Sequence, residues 1–222
     1  MNSIEINASG FVYSSVFYNR EFESIMSQIV VCYNLMKSND CSLQNKENLI
    51  RNEMVNNYLM NKNVRENIGI NKYLFYRELP TIDDTGRVDI YVVMQNTFQD
   101  VDACYIIECK RLNNKNTNGK TGLNAEYIQN GISRFISQKY KMHENTAGMI
   151  GFVVEKMDVH KNVCAINDLL NRHFTNMGTE QGLKYKEIVS GFEYSYFSTH
   201  KAGRVSKTIY HLMFDFSDNI SS

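Results

Sequence analysis

The chain has no tryptophan, a single proline at Pro80, and no uninterrupted apolar run near the ~20 residues that span a bilayer. Proline-rich linkers and membrane-spanning helices are therefore not expected, and no repeat or low-complexity tract divides the sequence. Acids and bases number 24 each, so the formal net charge is zero, which excludes a uniformly cationic binder but leaves room for a local basic patch. The five cysteines, Cys32, Cys41, Cys104, Cys109 and Cys164, form no CxxC pair, and the histidines show no metal-ligand spacing. Free thiols and a cytoplasmic setting follow from that pattern. Met1 to Gly10 is polar and carries Glu5, unlike a secretory leader. A phosphate-binding GxxxxGK[ST] loop and a GxSxG elbow are both missing, which disfavours an ATP-driven motor and a serine hydrolase.

What is present suits one α/β domain spanning residues 1–222. Its 43% hydrophobic and 22% charged residues are ordinary for a globular chain of 222 residues. Phe22, Ile25, Met26, Ile29, Tyr33 and Met36 recur at helical spacing over 20–37, and Ile50, Met54 and Tyr58 do so over 43–62. Gly69 ends that pattern, and strands are expected at 72–79, 87–94 and 103–112. Turn formers, Asp83 and Asp84 among them, fill 80–86. A flexible loop at 113–122 precedes a helix over 123–142, in which Gly131 marks close packing. A strand at 147–155, a helix at 159–176 and a C-terminal β-hairpin, near 191–199 and 207–216, complete the order α-α-β-β-β-α-β-α-β-β, a mixed sheet with flanking helices.

Chemistry concentrates on two strands. Glu108 and Lys110 alternate to one face of theirs and Cys109 to the other, while Asp89 lies on the preceding strand. Unpaired charges in apolar strands are expensive, and adjacent carboxylates repel. A hard divalent cation such as Mg²⁺ relieves both, with Lys110 placed to orient or deprotonate an attacking water; a buried salt bridge of Lys110 with Glu108 or Asp89 is the structural alternative.

The runs GRVDIYV (86–92) and YIIECKRL (105–112) resemble the core of the PD-(D/E)xK nuclease superfamily, with Val88 standing where the nominal proline would be. The resemblance implies a restriction-endonuclease-like α-β-β-β-α-β core over about residues 43–155, with an N-terminal helical extension and the C-terminal hairpin outside it. It implies Mg²⁺-dependent hydrolysis of nucleic acid, DNA in the first instance, in a defence or restriction setting, with Mn²⁺ able to substitute and a homodimer conceivable. Asp89, Glu108 and Lys110 would be catalytic. Asp89, Glu108 and the Cys109 carbonyl would hold the metal, joined by a glutamate of the first core helix: Glu53, with Glu47 as its competitor. Glu78 is a further candidate. Arg111, Lys115, Tyr127, Gln129 and Arg134 are candidate substrate contacts. Tyr127 and Tyr140 fit a core equally well, and Arg134 fits a salt bridge. Lys120 extends the first basic cluster, and His200, Lys201, Arg204 and Lys207 form a second. A non-catalytic binding module of the same fold, or a nuclease subunit active only in a complex, are the alternatives.

Overall fold

A computed structural model describes residues 14–80 and 87–221, so the polar start and the turn formers Asp83 and Asp84 lie outside the described residues. Seven strands form one mixed sheet in the order β1-β2-β3-β4-β7-β6-β5. Strands β1 (Leu74–Pro80), β2 (Arg87–Val93) and β3 (Cys104–Leu112) make an antiparallel meander. β4 (Thr146–Val153) runs parallel to β3, and β7 (Val205–Asp215) runs parallel to β4. β6 (Ser195–Ala202) and β5 (Thr179–Tyr185) continue antiparallel from β7. The C-terminal hairpin is thus part of the main sheet, with β7 beside its central strand. β5 was not expected: its sequence TEQGLKY is polar, and as an edge strand it buries only Leu183.

Helices cover both faces. Helix α1 (Ser14–Ser38) packs Phe22, Ile25, Met26 and Ile29 with α2 (Glu47–Glu53) against Tyr105, Ile107 and Cys109 of β3. On the opposite face, α4 (Leu123–Tyr127), α5 (Ser133–Ile136) and α6 (Val159–Arg172) pack with Ile106, Leu112 and Met149. Alternation along β3 therefore assigns its apolar side chains to two different cores, with Glu108 and Lys110 between Ile106 and Leu112.

The helix expected over 43–62 is broken. α2 widens into a π-turn at Met54–Leu59, and the Asn61 side chain then accepts from Asn63 and Val64 N–H to start α3 (Lys62–Ile68). Gly69 closes α3 with φ 72°, the left-handed position that glycine fills at low cost. The helix expected over 123–142 also carries a π-turn, Ile128–Ile132, and ends at Ile136. At Gly131 a Cβ would lie 2.4 Å from Met149 Cε and 3.6 Å from Lys110 Cγ, so the missing side chain lets this segment approach β3 and β4. All five cysteines are free thiols. Among the described residues no helix is long and apolar enough to cross a membrane.

Candidate functional site

The paired positions of β2 and β3 end at Ile90↔Ile107. Just beyond, the Asp89 side chain replaces a backbone partner: its Oδ2 accepts the Cys109 N–H at 2.8 Å. The strands part here, and side chains from both helical layers enter. From β3, Lys110 Nζ donates to Glu108 Oε1 at 2.8 Å and to the Cys109 carbonyl at 2.7 Å, and stands 3.9 Å from Asp89 Oδ2. From α2, Glu47 accepts from Lys110 Nζ at 3.0 Å and from the Arg111 N–H at 3.1 Å. Arg51, one helical turn after Glu47, shares its face. Its guanidinium reaches Asp89 Oδ1 at 2.5 Å and Glu78 Oε1 at 2.6 Å. From α5, Arg134 pairs with Glu108 Oε1 at 2.7 Å and with the Tyr140 hydroxyl at 2.5 Å.

Four carboxylates, Glu47, Glu78, Asp89 and Glu108, thus meet four cations: Arg51, Lys110, Arg134 and, 3.8 Å from Glu78 on the more exposed side, Arg77. Glu108 has no exposed surface. Burial, with Asp89 adding repulsion, pushes its carboxyl up to about 7 even beside Lys110 and Arg134. Burial works against charge on Lys110, but Glu108, Glu47 and Asp89 outweigh it and raise its pKa, so Lys110 is held as an ammonium. The Tyr140 hydroxyl sits 2.8 Å from the Arg87 carbonyl and 3.1 Å from Glu108 Oε2. It has one proton to give; with Glu108 protonated, Glu108 donates to Tyr140 and Tyr140 to Arg87, and every partner is satisfied.

The structure brings together Asp89, Glu108, Cys109 and Lys110. The α2 carboxylate that joins them is Glu47, in place of the expected Glu53. Glu53 lies six residues on, on a different side of the helix, and accepts from Asn57 Nδ2 at 2.7 Å. Tyr127, expected at substrate, is instead enclosed: it has no exposed surface and bonds His211 Nδ1 at 2.8 Å. Arg134 is engaged by Glu108 and not left for a phosphate. Arg111 holds the Asn45 carbonyl and side chain at 2.9 and 2.8 Å, and Lys115 pairs with Glu155 at 2.7 Å; Gln129 is exposed. In the second basic cluster His200 and Lys207 are buried, and Lys207 donates to the Phe135 carbonyl at 2.6 Å. Sequence reasoning missed Arg51. Its signal was available: Arg51 follows Glu47 by four, beside the buried Ile50.

As donors for a hard cation, the oxygens of Asp89, Glu108, Glu47 and Cys109 are of the right kind. Each is already bonded by a protein donor, however. Among the described residues no three His, Cys, Asp or Glu side chains stand in an arrangement that could hold an ion. The donor chemistry fits a divalent cation; the positions are those of the ion-paired cluster. No family model, curated protein or solved structure matches the chain.

Proposed function

We propose that the protein is a Mg²⁺-dependent nuclease that hydrolyses nucleic-acid phosphodiesters, with DNA as the first substrate to test. The observation that carries the reading is the convergence of Lys110 on three carboxylates where β2 and β3 part. It is supported by the chain order around that point: a helix, a three-stranded meander, a helical crossover and a parallel strand. That is the order implied by the PD-(D/E)xK resemblance, with a restriction-endonuclease-like core. Asp89, Glu108, Glu47 and the Cys109 carbonyl would hold the cation, which when bound supplies positive charge to a phosphate and acidifies a water. Lys110 would orient an attacking water and offset charge at the scissile phosphate. Arg134 and Tyr140 fix the Glu108 carboxyl, while Arg111, near the end of β3, and Lys115, in the loop that follows, are the candidate substrate contacts.

One observation favours a second reading: each of the four carboxylates already has a protein cation. A binding module, or a subunit that cleaves only in a complex, would keep this cluster as structure. The purified chain incubated with plasmid and single-stranded DNA decides between them. Cleavage that needs Mg²⁺ or Mn²⁺, stops with chelator, and falls by about 10²-fold or more in Lys110→Ala and Asp89→Ala is expected for the nuclease. Equal activity of the wild type and both variants would sink the catalytic claim. DNA binding without cleavage would point to the second reading.

A further inference from the structure

Two features that the nuclease reading does not use meet on Asp89. Arg51 is 4% exposed, and the two ends of its guanidinium divide between Asp89 and Glu78. Asn52 Oδ1 accepts from its Nε at 3.2 Å and from the nitrogen facing Glu78 at 3.0 Å, fixing the plane of the fork. Glu78 in turn has φ 56° within β1, at the position skipped by the pairing between Arg77↔Ile90 and Leu79↔Val88. A left-handed backbone at a non-glycine residue costs on the order of 1–2 kcal/mol. Here it turns a strand carboxylate toward Arg51, so the strained residue is a fixed second perch for that side chain.

A guanidinium on Asp89 Oδ1 takes the lone pairs that a divalent cation would take, and the two positive charges repel at such distances. We propose that Arg51 is an intramolecular competitor for the cation at Asp89, and that metal loading is coupled to its withdrawal from Asp89 onto Glu78. This rests on the reading of Asp89 as a metal ligand. The geometry supplies both ends of the movement. Arg51 already contacts its second anchor, so it leaves Asp89 without leaving its ion pair, and it remains nearby to displace the cation when binding is weak. Apparent metal affinity is then the intrinsic affinity reduced by the fraction of molecules in which Asp89 is open.

The test is direct binding of Mn²⁺ to the full chain, by calorimetry and by the loss of the free-ion electron paramagnetic resonance signal, without any nucleic acid. Arg51→Met is expected to bind Mn²⁺ about ten-fold tighter than wild type, the gain if Arg51 covers Asp89 in about nine molecules of ten. Arg51→Lys, which keeps the charge but cannot fork between two carboxylates, is expected about three-fold tighter. Asp89→Asn is expected to lose binding. Circular dichroism checks each variant for folding, and if Arg51→Met does not fold, Arg51→Lys carries the comparison. Equal or weaker binding in the folded Arg51 variants, with Asp89→Asn still silent, overturns the competition while leaving Asp89 as a metal ligand. If no form binds Mn²⁺, the metal reading fails and the competition fails with it.

Discussion

Lys110 holds its ammonium within 4 Å of Glu47, Asp89 and Glu108 while only 7% of the residue is exposed. The nearest of these, Glu108, has no water to turn to if that charge is removed. Lys110→Met keeps much of the side chain's length and apolar packing, so its effect isolates the loss of the ammonium. Breaking a buried ion pair from one side costs about 3–5 kcal/mol where the remaining charge is left uncompensated; Glu108 keeps Arg134 and Asp89 keeps Arg51, so the expected loss lies toward the low end of that range. The loss is expected to be smaller at pH 5 than at pH 8, since burial already raises the Glu108 carboxyl and removal of Lys110 raises it further, so the acid form escapes the penalty. Urea denaturation at the two pH values measures both quantities. A loss under about 1 kcal/mol at pH 8 would mean that the ammonium is not what neutralises these acids.

Among the elements, β5 is the one most weakly marked by its side chains and most dependent on a backbone detail. Gly178 precedes it with φ 57°, and a Cβ there would stand 2.4 Å from the Lys201 carbonyl oxygen. The same glycine's carbonyl accepts the Lys201 N–H at 2.7 Å, which pins the start of β5 to β6. A backbone oxygen cannot swing aside as a side-chain end can. Gly178→Ala therefore combines left-handed strain with a clash and is expected to cost about 2–4 kcal/mol. Amide hydrogen exchange would show the cost as faster exchange in Thr179–Tyr185 than in β4; unchanged protection of β5 would contradict it. The difference between β5 and β3 also explains what could be read from the sequence. YIIECKRL displays both its burial and its charges, and the meander with its crossover followed from such runs. TEQGLKY offers no alternation, and its pairing with β6, which follows after 186–194, is set by Gly178 and shifts register along the strand. The same limit applied to the site. Asp89, Glu108 and Lys110 stood out as charges inside apolar strands, whereas Glu47 and Arg51 are ordinary helix residues until the face they share is known.

Across the whole molecule, a chain of buried polar groups ties the helical layer to the C-terminal half of the sheet, and its direction can be deduced. His200 Nδ1 lies 3.1 Å from the Met177 carbonyl, which only accepts, so this nitrogen carries the proton. His200 Nε2 must then accept from Ser198, 2.9 Å away. Ser198 in turn accepts from His211 Nε2 at 2.8 Å, and His211 Nδ1 accepts from the Tyr127 hydroxyl at 2.8 Å. Every link uses a neutral imidazole, and protonating either ring would force the facing hydroxyl, Ser198 or Tyr127, to turn its own proton away from its acceptor. Burial moves both histidines the same way: His200 falls to about 4, and His211, with His200 beside it, lies well below its ordinary value. Between pH 6.5 and about 4 the unfolded chain binds protons that the folded chain refuses, so stability is present above this window and is lost as pH falls through it. For His200 alone the difference amounts to about 3 kcal/mol, and His211 acts in the same direction. Glu108 opposes them. Its carboxyl is raised to about 7, so its contribution declines as pH rises from 4.5. His143, lowered by burial, acts with the two histidines, and Glu21, raised by burial, acts with Glu108; three histidines against two carboxyls leave a net rise in stability from pH 4 to 6.5. Urea midpoints in chelator-treated buffer should climb across that range in the wild type, climb more steeply in Glu108→Gln, and flatten in His200→Asn. If His200→Asn keeps the wild-type slope, the protonation that undermines the fold in acid occurs elsewhere; if it flattens, the buried chain from Tyr127 to Met177 sets the lower pH limit of the sheet that carries the site.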